Sequence, residues 1–77
     1  MSKMKEFHIV SQTSDNYRSY QTTRAAIADA VRMAEVEDQV KLYRVSEDEE
    51  VLLFDSNKCK DRTIDGILKW AEKGGRT

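Results

Sequence analysis

Apolar residues recur along this chain with two different periods, and the switches between them mark its elements. From Lys5 to Gln12 the period is two: Phe7 and Ile9 fall on one face, His8 and Val10 on the other. That spacing predicts a first strand. From Thr22 to Glu37 the period lengthens, with Ile27, Ala30, Val31 and Ala34 at i, i+3, i+4 and i+7. This is one face of a helix, with Thr22 as its N-cap and Arg24, Asp29, Arg32 and Glu35 on the wet side. Val40–Val45 and Val51–Phe54 are rich in β-branched and aromatic residues and predict the two arms of a hairpin. Ser46-Glu47-Asp48-Glu49-Glu50 joins them as an acidic tip. Beyond a polar, basic connector from Asp55 to Arg62, Ile64, Ile67, Leu68 and Ala71 repeat the helical spacing, with Trp70 at the edge of the stripe. Thr63 caps this second helix, Asp65 suits its first turn, and Gly74-Gly75 ends it. Met1–Lys3 and Gly75–Thr77 are expected to fray.

The polar stretch Thr13–Gln21 lacks a period and has turn chemistry, so it is expected as a loop, with Tyr20 folded back on the core. Tyr17 and Tyr20 flank Arg18, a combination enriched at binding hot spots. The resulting order is β-α-β-β-α, an α+β fold with a three-stranded, mostly antiparallel sheet and two amphipathic helices. Two sheet orders fit, with Val51–Phe54 between the other two strands in a split β-α-β arrangement or at the edge; the first is preferred because Val51–Phe54 is the most apolar strand. The first helix covers one sheet face. The second helix then joins it, closes the opposite face or reaches across to a second copy. If it joins the first, the bare face shows a selection of Tyr43, Val45, Leu52 and Phe54, and such a patch marks an interface.

Length narrows the options. Seventy-seven residues make a single small domain with a modest core, which argues against an enclosed active site. No apolar run approaches the length of a membrane span, and the N-terminal apolar run is too short for a secretory signal. Cytoplasmic residence is the expectation. The one cysteine, Cys59, excludes an intrachain disulfide and reads as an incidental loop thiol. The net charge is −1 but uneven: +1 over residues 1–35, −5 over 36–55 and +3 over 56–77. Glu37 and Asp38 end the first helix, where negative charge opposes the helix dipole.

Few residues carry recognisable chemistry. The three glycines, Gly66, Gly74 and Gly75, form no phosphate loop, and there is no nucleophile turn. The single His8 has no cluster of metal-ligand partners in the sequence. No enzyme, metal site or cofactor is expected. The first functional expectation is a small accessory or regulatory factor that binds a protein, of the kind common among phage-type inhibitors of host machinery. Its partner-binding residues are Glu47, Asp48, Glu49 and Glu50 in the tip, with Tyr43, Phe54, Tyr17 and Arg18. An acidic projection suits a basic partner and raises on-rate and specificity. Homodimerisation through the open face is compatible with this. The alternative is a nucleic-acid-binding accessory protein using Lys58, Lys60, Arg62, Lys69 and Lys73, without the glycine loop or aromatic strands of common RNA-binding domains.

Overall fold

The computed structural model describes residues 4–74, so the ends expected to fray lie outside the described residues. Four strands and two helices follow in the order β1 (Lys5–Val10), β2 (Asp15–Tyr20), α1 (Thr23–Ala34), β3 (Lys41–Val45), β4 (Glu50–Asp55) and α2 (Ile64–Glu72). The class is α+β, as the pattern predicts. The sheet, however, has four strands in the order β2-β1-β3-β4, and every neighbouring pair is antiparallel.

The additional strand is β2, in the stretch expected as a loop. It has no apolar alternation, and only Tyr20 is drawn partly out of solvent. Pairing rather than burial holds it: six residues run in register with β1, from Lys5 opposite Tyr20 to Val10 opposite Asp15. The turn Ser11–Ser14 is closed by the Ser11 N–H donating to the Ser14 carbonyl at 2.8 Å. Glu37 supports that turn. Its carboxylate accepts from Ser11 Oγ at 2.7 Å and from Thr13 Oγ1. These bonds give the acid beyond α1 a structural purpose. The helix stops at Ala34 with Glu35 as C-cap, so Glu37 lies outside it and reaches the turn. At the other end Thr22 Oγ1 accepts from the Ala25 N–H at 3.1 Å, the expected cap.

The strand order is the second correction. Val51–Phe54 lies in β4, an edge strand, and the strand held between two others by a helix crossover is β1. β2 and β3 run parallel on either side of β1, and α1 joins them. β4 is apolar at the edge because α2 and the connector pack against it; Leu53, Phe54, Ile67, Trp70 and Cys59 belong to one buried cluster. A bulge sharpens the difference. Leu42 pairs with Phe54 but Tyr43 pairs with Leu52, which leaves Leu53 as the extra residue. Leu52 and Phe54 therefore face opposite sides of the sheet despite their spacing of two.

Phe7, Ile9, Leu42 and Phe54 point to one side and are buried under Ala26, Ile27 and Ala30 of α1 and Ile67 and Trp70 of α2. Each large side chain so buried contributes about 1.5–3 kcal/mol. Tyr20 joins this side, edge-on to Phe7 at 5.7 Å, with its hydroxyl donating to Asp29. The two helices are tied at their exposed rims by Arg24 and Asp65 at 2.9 Å. With both helices on one side, the opposite face of the sheet carries no helix.

Two further details shape the surface near α2. Arg62 donates to the backbone carbonyls of Cys59 and Ser56 and lies 5.2 Å over the Phe54 ring. Cys59 lies in the connector, as expected, and is buried there, its S–H donating to the Asp61 carbonyl. Burial pushes its thiol above the ordinary range.

Candidate functional site

The uncovered sheet face is built by strand alternation. His8 and Val10 come from β1, Tyr17 and Asp15 from β2, Tyr43 and Val45 from β3, and Leu52 and Glu50 from β4. His8 is central. Its ring stacks on Tyr17 with centroids 4.2 Å apart and planes 4° apart, and Tyr43 tilts toward it from the other side at 5.8 Å. Its side chain is 15% exposed. Both ring nitrogens meet carboxylates: Nδ1 lies 2.8 Å from Glu50 Oε1, and Nε2 is bonded to Asp15. Glu50 accepts a second bond from the Tyr17 hydroxyl at 3.0 Å.

The donor count sets the charge state. Two acceptors need two N–H donors, and only the imidazolium has both. Burial pulls the His8 pKa down, but the hydrogen bonds and charges of Asp15 and Glu50 outweigh it, so the pKa lies above the usual imidazole value. The His8 and Tyr17 bonds hold the Glu50 carboxyl below the ordinary carboxylate range. Tyr17 shifts upward, because its proton donates to Glu50 and its ionised form faces that charge. The cluster therefore ties β1 by charge to its neighbour β2 and, across β3, to β4.

The acidic tip borders this face. Val45 pairs with Glu50, so the connection is Ser46–Glu49, closed by the Ser46 N–H and Oγ donating to the Glu49 carbonyl at 2.9 and 3.0 Å. Glu47, Asp48 and Glu49 are exposed there, while Glu50 belongs to β4 and to the His8 cluster. Toward the other end of the face, Lys41 is partly buried and pairs with Val10.

The expected partner-binding residues divide. Tyr17, 55% exposed, and Tyr43 lie on the open face beside Glu50, and the tip lies next to them. Phe54 does not: it is 0% exposed on the helix side, because the bulge reverses its orientation. Arg18 is also on the helix side, 3.3 Å from Asp29 with Tyr20 bonded to the same carboxylate, so β2 splits the Tyr17–Arg18–Tyr20 trio between two faces. His8 and Asp15 were not singled out as contact residues by the sequence. Period-two positions through Asp15, Tyr17 and Ser19 carry that signal once the segment is read as a strand.

The basic residues of the alternative reading divide as well. Lys60, Lys69 and Lys73 line a groove of about 350 Å³ with Cys59, Asp61 and Trp70. Arg62 is spent on backbone carbonyls and Phe54. Lys58 is exposed in the connector outside the groove. Among the described residues, no group of three His, Cys, Asp or Glu side chains has the geometry to hold a metal ion, and no helix is long and apolar enough to cross a membrane. No family model, curated protein or solved structure matches the chain.

Proposed function

We propose that this protein is a small non-enzymatic factor that binds a basic segment of a protein partner through its open sheet face and acidic tip. One observation carries the reading: both helices pack on one side of the sheet, so an aromatic and aliphatic face edged with carboxylates is left uncovered. Tyr17, Tyr43, Val45 and Leu52 supply the contact area, and tyrosine is enriched where interfaces gain most of their energy. Asp15, Glu50 and the exposed Glu47, Asp48 and Glu49 supply a field that speeds encounter with a cationic surface. A factor of this size acts by occupying a surface, which suits a regulatory or inhibitory role of the phage type.

The test compares two tagged baits in lysate of the source cell, with and without nuclease, read by mass spectrometry. The native bait is expected to retain a protein that survives nuclease. A bait with Glu47, Asp48 and Glu49 changed to Lys is expected to lose it while keeping its circular dichroism spectrum. Equal recovery by both baits removes the tip from the reading. Partners that vanish with nuclease move it to nucleic acid, and recovery of the protein itself moves it to a homodimer.

A further inference from the structure

On the helix side, away from the open sheet face, a second region has the makings of a site. The connector after β4 and α2 flank the open groove of about 350 Å³. That volume falls at the lower end of the range for small-molecule sites, roughly 300–1,000 Å³. We propose that this groove binds a phosphate monoester carrying a compact apolar group.

Charge comes first. Lys60, Lys69 and Lys73 all border the groove, against one carboxylate, Asp61. Among the described residues none of the three lysines forms a salt bridge; every ion pair there uses His or Arg as its cation. Asp61 is turned to its own helix: Oδ1 accepts from the Thr63 N–H at 2.8 Å and from Thr63 Oγ1 at 2.6 Å. Those bonds hold its carboxyl below the ordinary range, so it stays ionised and committed to Thr63. The groove keeps a positive excess that matches a dianion.

The walls give the second half of the ligand. Trp70 and Cys59 line the groove, and both are more than nine-tenths buried. The upward-shifted Cys59 thiol is neutral, so it presents soft apolar surface rather than a thiolate. The Trp70 indole N–H is the one buried side-chain nitrogen or oxygen among the described residues with no hydrogen-bond partner. Buried donors are normally paired. In the proposed complex a phosphate oxygen is its acceptor.

The groove is also held in shape before any ligand arrives. Arg62 staples the connector through the Cys59 and Ser56 carbonyls, and the Lys58 and Cys59 N–H groups donate to the Asp55 carbonyl. Gly66 leaves room for the Asp61 carboxylate over the first turn of α2, where any side chain collides with it. A rigid wall of this kind lowers the entropy lost on binding.

Trp70 is the only tryptophan in the chain, so its fluorescence reports on the groove directly. Phenyl phosphate is expected to change that fluorescence saturably at low salt. Inorganic phosphate, lacking the apolar group, is expected to bind about tenfold more weakly or worse. In the Lys69→Gln, Lys73→Gln double variant the affinity for phenyl phosphate falls at least about tenfold. These lysines are exposed, so the variant folds, and its far-ultraviolet spectrum checks this. No saturable change at low salt overturns the proposal, as does an unchanged affinity in the double variant. Equal binding of the two phosphates overturns the apolar half of the ligand. A single-stranded oligonucleotide whose affinity rises with length, and exceeds that of phenyl phosphate, overturns the small-molecule site in favour of a polyanion surface.

Discussion

Replacing Phe54 by Ala probes the bulge that decides which part of β4 belongs to the core. Unbroken alternation puts Leu52 and Phe54 on one face. The register shift between Leu42 and Tyr43 instead turns Phe54 inward, where it is 0% exposed, and leaves Leu52 half-buried on the open face. Phe54→Ala removes a ring packed beneath the Arg62 guanidinium and leaves a cavity in the main cluster. Such a truncation costs roughly 3–5 kcal/mol. A whole domain has only about 5–15 kcal/mol of stability. At this chain length each kcal/mol lowers Tm by about 4–8 °C, so Phe54→Ala is expected to lower it by at least about 12 °C. Leu52→Ala trims a side chain that keeps part of its contact with water, and costs about 1 kcal/mol or less. Under the proposed function, its main effect is expected on partner affinity. Thermal melts followed by near-ultraviolet circular dichroism measure both variants. Equal losses, or a Phe54→Ala protein melting within a few degrees of the native one, would refute the bulge assignment.

Titration of the His8 cluster sets a pH window for stability. The raised His8 pKa gives a contribution fully present below 6.5, its ordinary value, and lost as pH rises through the folded value. The lowered Glu50 pKa gives one present above 4.5 and lost as pH falls through its folded value. Urea titrations across pH are expected to show a plateau between these limits, and His8→Gln to flatten its alkaline limb; an unchanged limb refutes the assignment. Gly66→Ala raises helix propensity by up to about 1 kcal/mol. It is nonetheless expected to destabilise the native protein, because the new methyl displaces Asp61 from Thr63, and to stabilise an Asp61→Ala background. Absence of that sign reversal in a double-mutant denaturation cycle counts against the Asp61–Gly66 contact. Tyr17→Ala is expected to weaken partner binding at least about tenfold without unfolding the sheet, since its ring is exposed and stacks only on His8. Calorimetric titration with the recovered partner checks it.

Periodicity located both helices and the strand through Phe7 and Ile9, because burying one face of an element leaves its period in the sequence; residue type supplied the caps at Thr22 and Thr63 and the hairpin from Val40 to Phe54. Tyr20 belongs in this group too, since an aromatic residue just before a helix cap has the core within reach. β2 left no such trace. It is an exposed edge strand whose stability comes from backbone pairing with β1, and backbone groups are the same in every residue. The assignment of β4 to the sheet centre failed for a related reason. An apolar strand is buried equally well by neighbouring strands or by a helix packed on an edge, and only the placement of α2 separates the two. The open face was one of three arrangements compatible with the sequence. Its chemistry was not legible: His8, Asp15, Tyr17 and Glu50 are spread over three strands, and the registers that bring them together arise from the ladder, the bulge and the turn held by Glu37. Spacing along one strand is written in the sequence, whereas contact between strands depends on register, which the tertiary structure decides.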